Sequence, residues 1–158
     1  MISHPIAPVF DSNSEILILG SFPSVKSREE MFFYGHPKNR FWQVLSAVLC
    51  EALPRTVEQK RALLLSHGVA VWDVIASCEI TGSADSSIKN VTANDLSIIL
   101  NGANIKKIFV NGKTAERYYN KYILGKIGIR AVCLPSTSPA NAKWSTEALT
   151  SAWRECMR

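Results

Sequence analysis

The sequence predicts an α/β fold: one domain over residues 1–158, with a mainly parallel sheet covered by helices on both faces. Two patterns lead to it. Four short β-branched runs are each nearly continuous in apolar residues, as strands buried on both faces are. Helical patterns separate those runs at the spacing of βαβ units. Composition allows such a core, with 47% of the 158 residues hydrophobic and 20% charged. A chain of this length buries roughly 70% of its unfolded surface without staples.

The first run, residues 16–19, is Ile-Leu-Ile-Leu with no polar position in it. Phe41, Trp42, Leu45, Val48 and Leu49 then fall on one helical stripe. Thr56 and Gln59 form a capping box for the next helix, which Gly68 ends. The second run covers residues 69–74, and residues 76–90 read as a loop. Thr92 or Asn94 is the expected cap of a helix through Leu100, stopped by Gly102. The third run, 108–110, leads into a helix over 114–124, and the fourth covers 129–134. Ser145 opens the last helix, with Leu149, Ala152, Trp153 and Cys156 facing inward.

Several function classes drop out. The apolar runs are too short to span a membrane, and no basic patch precedes an apolar stretch at the start, so a cytoplasmic location is expected. Cys50, Cys78, Cys133 and Cys156 lie at least 23 residues apart with no CxxC pair, and His4, His36 and His67 are scattered. No metal or cofactor is expected, and the thiols read as free and buried or half-buried. Asn111-Gly112-Lys113-Thr114 has the ending of a phosphate loop, but Lys107 stands where its first glycine belongs. Charge is the positive clue. Residues 101–158 hold ten Lys/Arg against three Glu, a formal +7 where the whole chain carries +5. Such a surface attracts polyanions, although a solvated helix face would look the same.

In parallel α/β folds ligands bind beyond the carboxyl ends of the strands. Two loops there are unusual. Phe32-Phe33-Tyr34-Gly35-His36-Pro37-Lys38-Asn39-Arg40-Phe41-Trp42 crowds aromatics around a Gly-His-Pro turn. Its Tyr could stack on a base, while Asn39 also sits where a helix cap would. Leu134-Pro135-Ser136-Thr137-Ser138-Pro139-Ala140-Asn141-Ala142 offers hydroxyl and backbone N–H donors suited to phosphates, or simply an ordinary polar connection.

Taken with Gly20-Ser21-Phe22-Pro23-Ser24, and with Val71-Trp72-Asp73-Val74 followed by Gly82-Ser83-Ala84-Asp85, these motifs resemble the uracil-DNA glycosylase superfamily. Within it they resemble the hypoxanthine-DNA (deoxyinosine) glycosylase branch, related to mismatch-specific uracil/thymine-DNA glycosylases. The resemblance runs from about residue 15 to the C-terminus. It implies a three-layer α/β/α sandwich with a central four-stranded parallel sheet, and base excision without a metal. Phe22 stands where relatives place a catalytic asparagine, so the branch implies Asn39 as the catalytic residue. Gly20, Ser21, Phe22, Pro23, Tyr34 and His36 would surround the base, with Tyr34 and Phe22 stacking on it. Ser24, Ser136, Ser138, Pro139, Ala140 and Asn141 would contact DNA. Ser136 takes the place of a base-binding histidine in relatives, and Ala140 that of a duplex-wedging leucine.

The implied activity is excision of a flipped deaminated base, foremost hypoxanthine, by a monomer acting on double-stranded DNA. Removal of uracil or mismatched thymine, a non-catalytic DNA-binding module and a nucleoside hydrolase are the alternatives. Such cleavage passes through an oxocarbenium-like state. Asn39 would position the water or bond the leaving base, and Asp73 and Asp85 are the loop carboxylates available.

Overall fold

The computed structural model describes residues 1–158. Four strands, β2 (Ile16–Gly20), β3 (Val69–Asp73), β6 (Lys107–Asn111) and β7 (Ala131–Leu134), form a parallel sheet in the order β3-β2-β6-β7. Their register pairs Leu17 with Ala70 and Ile108, and Ile18 with Val71 and Phe109. Because side chains alternate across a strand, these two rows enter different layers. Ile18, Val71 and Phe109 pack with α2 (Phe41–Val48), α3 (Val57–Ser66) and α7 (Thr146–Cys156). Leu17, Leu19, Ile108 and Val110 pack beneath α4 (Ser97–Gly102) and α5 (Lys113–Tyr122). The result is the expected α/β/α sandwich, with a core on each side of the sheet.

Capping explains several helix starts. Thr56 Oγ1 accepts from Gln59 N at 3.1 Å, while Gln59 Oε1 accepts from Arg55 N, one residue short of the usual box partner. Ser145 caps α7 as expected, accepting from Ala148 N at 3.1 Å. Ser24 caps α1 (Val25–Glu30), a short helix without an apolar stripe to announce it.

Other expectations are corrected. Residues 76–90 are not simply a loop: β4 (Ile75–Glu79) and β5 (Lys89–Ala93) pair antiparallel, and β1 (Ile2–Ser3) joins β4 in a second sheet. Their polar, irregularly paired residues hide the strand period. The second run therefore breaks at Val74, where the chain leaves one sheet for the other. Thr92 lies in β5 and caps nothing; Asp95 Oδ1 instead accepts from Ser97 N at 2.9 Å at the start of α4. The fourth strand begins at Ala131 because Gly128, at φ 72°, first ends α6 (Leu124–Ile127). Cys50 and Cys156 are exposed. No helix is long and apolar enough to cross a membrane.

Two core indoles fix the loops that matter later. Trp42 Nε1 donates to Phe33 O at 3.2 Å, and Trp153 Nε1 donates to Pro135 O at 2.9 Å. Both loops are thus anchored to the buried layer beneath them.

Candidate active site

A cleft of about 840 Å³ opens at the carboxyl ends of the parallel strands. Each strand contributes its last residue: Gly20, Asp73, Asn111 and Leu134 all line it. Gly20 is there because nothing larger fits. A Cβ at that position would collide with Asp73 Oδ1 and lie 2.9 Å from the Tyr34 hydroxyl. Its missing side chain lets a carboxylate and a phenol reach the cleft floor.

One wall is uncharged. His36-Pro37-Lys38-Asn39 makes a turn closed by Asn39 N donating to His36 O at 3.0 Å, with proline at its second position. Asn39 Oδ1 then accepts from Phe41 N at 2.9 Å, one residue ahead of the Arg40 N-cap of α2, and from the Thr137 hydroxyl at 2.8 Å. Thr137 is fully buried, and its Oγ1 accepts from Asn111 Nδ2 at 3.0 Å. Asn111 Oδ1 accepts from Thr137 N at 3.1 Å, and Asn111 Nδ2 also donates to the Tyr34 hydroxyl at 3.3 Å. Two donors occupy the Asn39 carbonyl oxygen, so only its Nδ2 hydrogens remain to act in the cleft.

Tyr34 adopts φ 54°, a left-handed conformation rare for a bulky residue and frequent at functional sites. One face of its ring is stacked on Phe41 at 3.8 Å. Burial first, then the charge of Asp73, raises its pKa, so the phenol stays neutral.

The 135–141 loop is held by its own side chains. Ser136 Oγ accepts from Ser138 N, Ser138 Oγ accepts from Ala140 N, and Asn141 Nδ2 donates to Ser136 O at 2.9 Å. Arg40 donates to the carbonyls of Asn141 and Trp144, closing the loop from outside. These N–H groups are therefore not available to phosphates as the sequence suggested, but the serine hydroxyl protons are.

The other wall is acidic. His4 Nδ1 accepts from Ile6 N at 3.2 Å, which leaves Nε2–H to donate to Asp73 Oδ2 at 2.7 Å. That pair is nearly sealed, with side-chain exposures of 2% and 5%. The Ser21 hydroxyl donates to both Asp85 oxygens, at 3.1 and 3.2 Å. Burial pushes the Asp85 pKa up, the Ser21 bond opposes this, and the nearby negative charge of Asp73 raises it further. The 82–85 segment is tied to α1 by Val25 N donating to Ser83 Oγ and Arg28 Nη2 donating to Gly82 O. Arg28 also lies over the Phe22 ring at 5.6 Å.

All the residues expected at the site line this one cleft. Gly20, Ser21, Phe22, Pro23, Ser24, Tyr34 and His36 are there with Asn39, and so are Ser136, Ser138, Pro139, Ala140 and Asn141. Sequence reasoning missed Asn111, Thr137 and His4. Asn111 had a signal, being the polar residue that ends an apolar run, as Asp73 does. His4 had none. The basic residues are less focused than the sequence suggested. Lys113 lines the cleft, but Lys107 starts β6 at the far end, and Lys121 and Lys126 line a separate hollow beside Tyr122.

The chain is similar to several known proteins. A protein described as hypoxanthine DNA glycosylase from Methanosarcina barkeri is 36% identical over 153 residues, covering 96% of this chain and 95% of that one. A protein of the same description from Methanosarcina acetivorans is 35% identical over 147 residues, covering 92% of each. The solution NMR structure of a candidate uracil DNA glycosylase from Methanosarcina acetivorans superposes over the full length of both chains, with a TM-score of 0.81 and 31% identity. The family profile of the uracil DNA glycosylase superfamily matches residues 7–156. With that profile spanning nearly every element and both unusual loops meeting in one cleft, the chain belongs to the uracil DNA glycosylase superfamily.

Proposed function

We propose that this DNA glycosylase releases hypoxanthine from double-stranded DNA, acting as a monomer and leaving an abasic site. One observation carries the reading. The Asn39 carboxamide is locked through its oxygen and offers only N–H groups to a cleft large enough for a purine.

Rotating a base out of the stack costs a few kcal/mol, least for a mispaired base such as hypoxanthine. Tyr34 and Phe22, both of which line the cleft, receive the purine, with Phe41 stacked on Tyr34 and Arg28 over the Phe22 ring. The N–H groups of Ser21 and Phe22, which have no partner in the protein, meet its edge. Negative charge moves onto the base as the bond to the sugar breaks, and a fixed donor there stabilises it without reorganising. Asn39 Nδ2 is that donor. Activating the water through Asn39, the other role considered, needs a carbonyl oxygen that Phe41 and Thr137 already occupy.

Ser136 and Ser138 hold the flanking phosphates; Ser24 lines the same cleft, but its hydroxyl proton goes to Ser27 Oγ, and His36 offers Nε2, its Nδ1 accepting from Lys38 N. Ala140 is too small to fill the gap left by the flipped base. Trp144 replaces the missing wedge: it lines the cleft, is 37% exposed, and follows the loop that Arg40 fastens.

The test is a panel of duplexes carrying one inosine, uracil, xanthine or G·T mismatch, followed by alkali cleavage at abasic sites. Time-dependent cleavage at inosine is expected. Binding with every glycosidic bond left intact would refute the reading in favour of a DNA-binding module, and faster cleavage at uracil would refute the base assignment.

A further inference from the structure

A purine leaves a sugar poorly as an N9 anion and far more readily once N7 carries a proton. Asn39 can donate a hydrogen bond but cannot give up a proton at neutral pH. Only two carboxyl groups line the cleft, those of Asp73 and Asp85. Asp73 accepts from His4 Nε2–H and is fixed as an acceptor. His36 has its Nδ1 occupied as an acceptor from Lys38 N, and no carboxylate is bonded to its ring. Asp85 differs from all of these. It is carried on a segment fastened to α1, it faces the cleft, and a single hydroxyl orients it.

We propose that Asp85 is the general acid of the cleft, its carboxyl turned by Ser21 to protonate N7 of the departing purine. The inference rests on the reading that the base released is hypoxanthine. The Asp85 O–H bond breaks as N7–H forms, and the C1′–N9 electron pair passes to the ring. Neutral hypoxanthine leaves, and the water that adds to C1′ releases its proton to solvent, from which Asp85 regains one before the next turnover. The surroundings favour the loaded acid. Burial, and then the Asp73 charge, raise its pKa and so favour the protonated form, while the Ser21 bond and Arg117 of α5 lower it. Tyr34 and the Cys78 thiol of β4 are the other titratable groups that feel its charge. Two carboxyl groups in one cleft with different surroundings, one bonded to a histidine and the other to a hydroxyl, are the pattern of an acid and its electrostatic partner.

A modified base tests the step. A 7-methylinosine residue carries a fixed positive charge at N7 and needs no proton to leave. Single-turnover release from inosine and 7-methylinosine duplexes is measured above the enzyme-free background, for the wild type and for Asp85→Asn. The variant is expected to lose about 10²-fold or more on inosine, the usual scale of general acid catalysis, and less than about threefold on 7-methylinosine. Both rates come from one preparation, so partial unfolding cancels in their ratio. Independently, the wild-type rate on inosine should fall as pH rises through the raised Asp85 pKa, and the variant should lack that limb. Equal losses on both bases, or an unchanged pH profile in the variant, would overturn the acid alone. A wild type that releases neither base would overturn the hypoxanthine reading, and this inference with it.

Discussion

On one side of the cleft Asn39, Thr137 and Asn111 hold one another without a formal charge, while on the other Asp73 and Asp85 stand behind Gly20 and Ser21. The uncharged side can be assembled tightly because amides and hydroxyls both donate and accept, so each group leaves its neighbour satisfied. The acidic side needs help from outside, a histidine for one carboxylate and a serine for the other. The contrast separates two tasks. In the proposed reaction, fixed donors meet charge as it develops on the base, and a carboxyl group supplies the proton.

Variants on each side can break this division. The largest effect is expected for Asn39→Ala, with excision down about 10²–10³-fold, the usual loss for one preorganised donor. Inosine-DNA affinity in a filter or anisotropy assay should change little, and full activity would remove Asn39 from the chemistry. Gly20→Ala strikes the acidic side by pushing Asp73 and the Tyr34 hydroxyl away from each other. A displacement near 1 Å is expected to cost about 10² in single-turnover rate, with the melting temperature falling far less sharply.

Thr137→Val tests whether the uncharged side acts as a unit. It removes the hydroxyl that joins Asn39 to Asn111, costing about 1–3 kcal/mol for buried groups left unpaired. Excision should fall about tenfold beyond what unfolding explains if the Asn39 amide acts as proposed and is misplaced. Thr137→Ser, which restores the hydroxyl, should recover most of it. Trp144→Ala should have the smallest effect. A lost wedge weakens cleavage of duplex inosine but leaves cleavage of single-stranded inosine unchanged, since no partner strand needs holding apart. Equal losses on both substrates would assign Trp144 to loop packing instead.

The parallel sheet was legible because its strands are buried on both faces and therefore read as unbroken apolar runs. Leu17, Ile18 and Leu19 are all fully buried. The β4–β5 hairpin was not, since Ser77, Lys89, Asn90 and Thr92 are polar and its pairing shifts register twice. The site divides in the same way. Asn39 stood in a motif with a turn and a helix start around it, which marked its place at the cleft. What it bonds could not be read, because Thr137 is 98 positions away. The restriction of Asn39 to donation needs that contact as well as the local one from Phe41 N. His4 and Asp73, 69 positions apart, are likewise joined by the fold alone.

Those distant pairings mean that the cleft exists only when the whole chain has closed. His4 with Asp73, Asn39 with Thr137 and Arg40 with Asn141 span almost the full length between them. Contacts of such high order form late and together. A half-made chain emerging from synthesis can therefore carry the aromatic turn or the serine-rich loop without possessing a working pocket. Competence to cut a glycosidic bond is in this way delayed until the serine-rich loop has closed against Asn39 and Arg40.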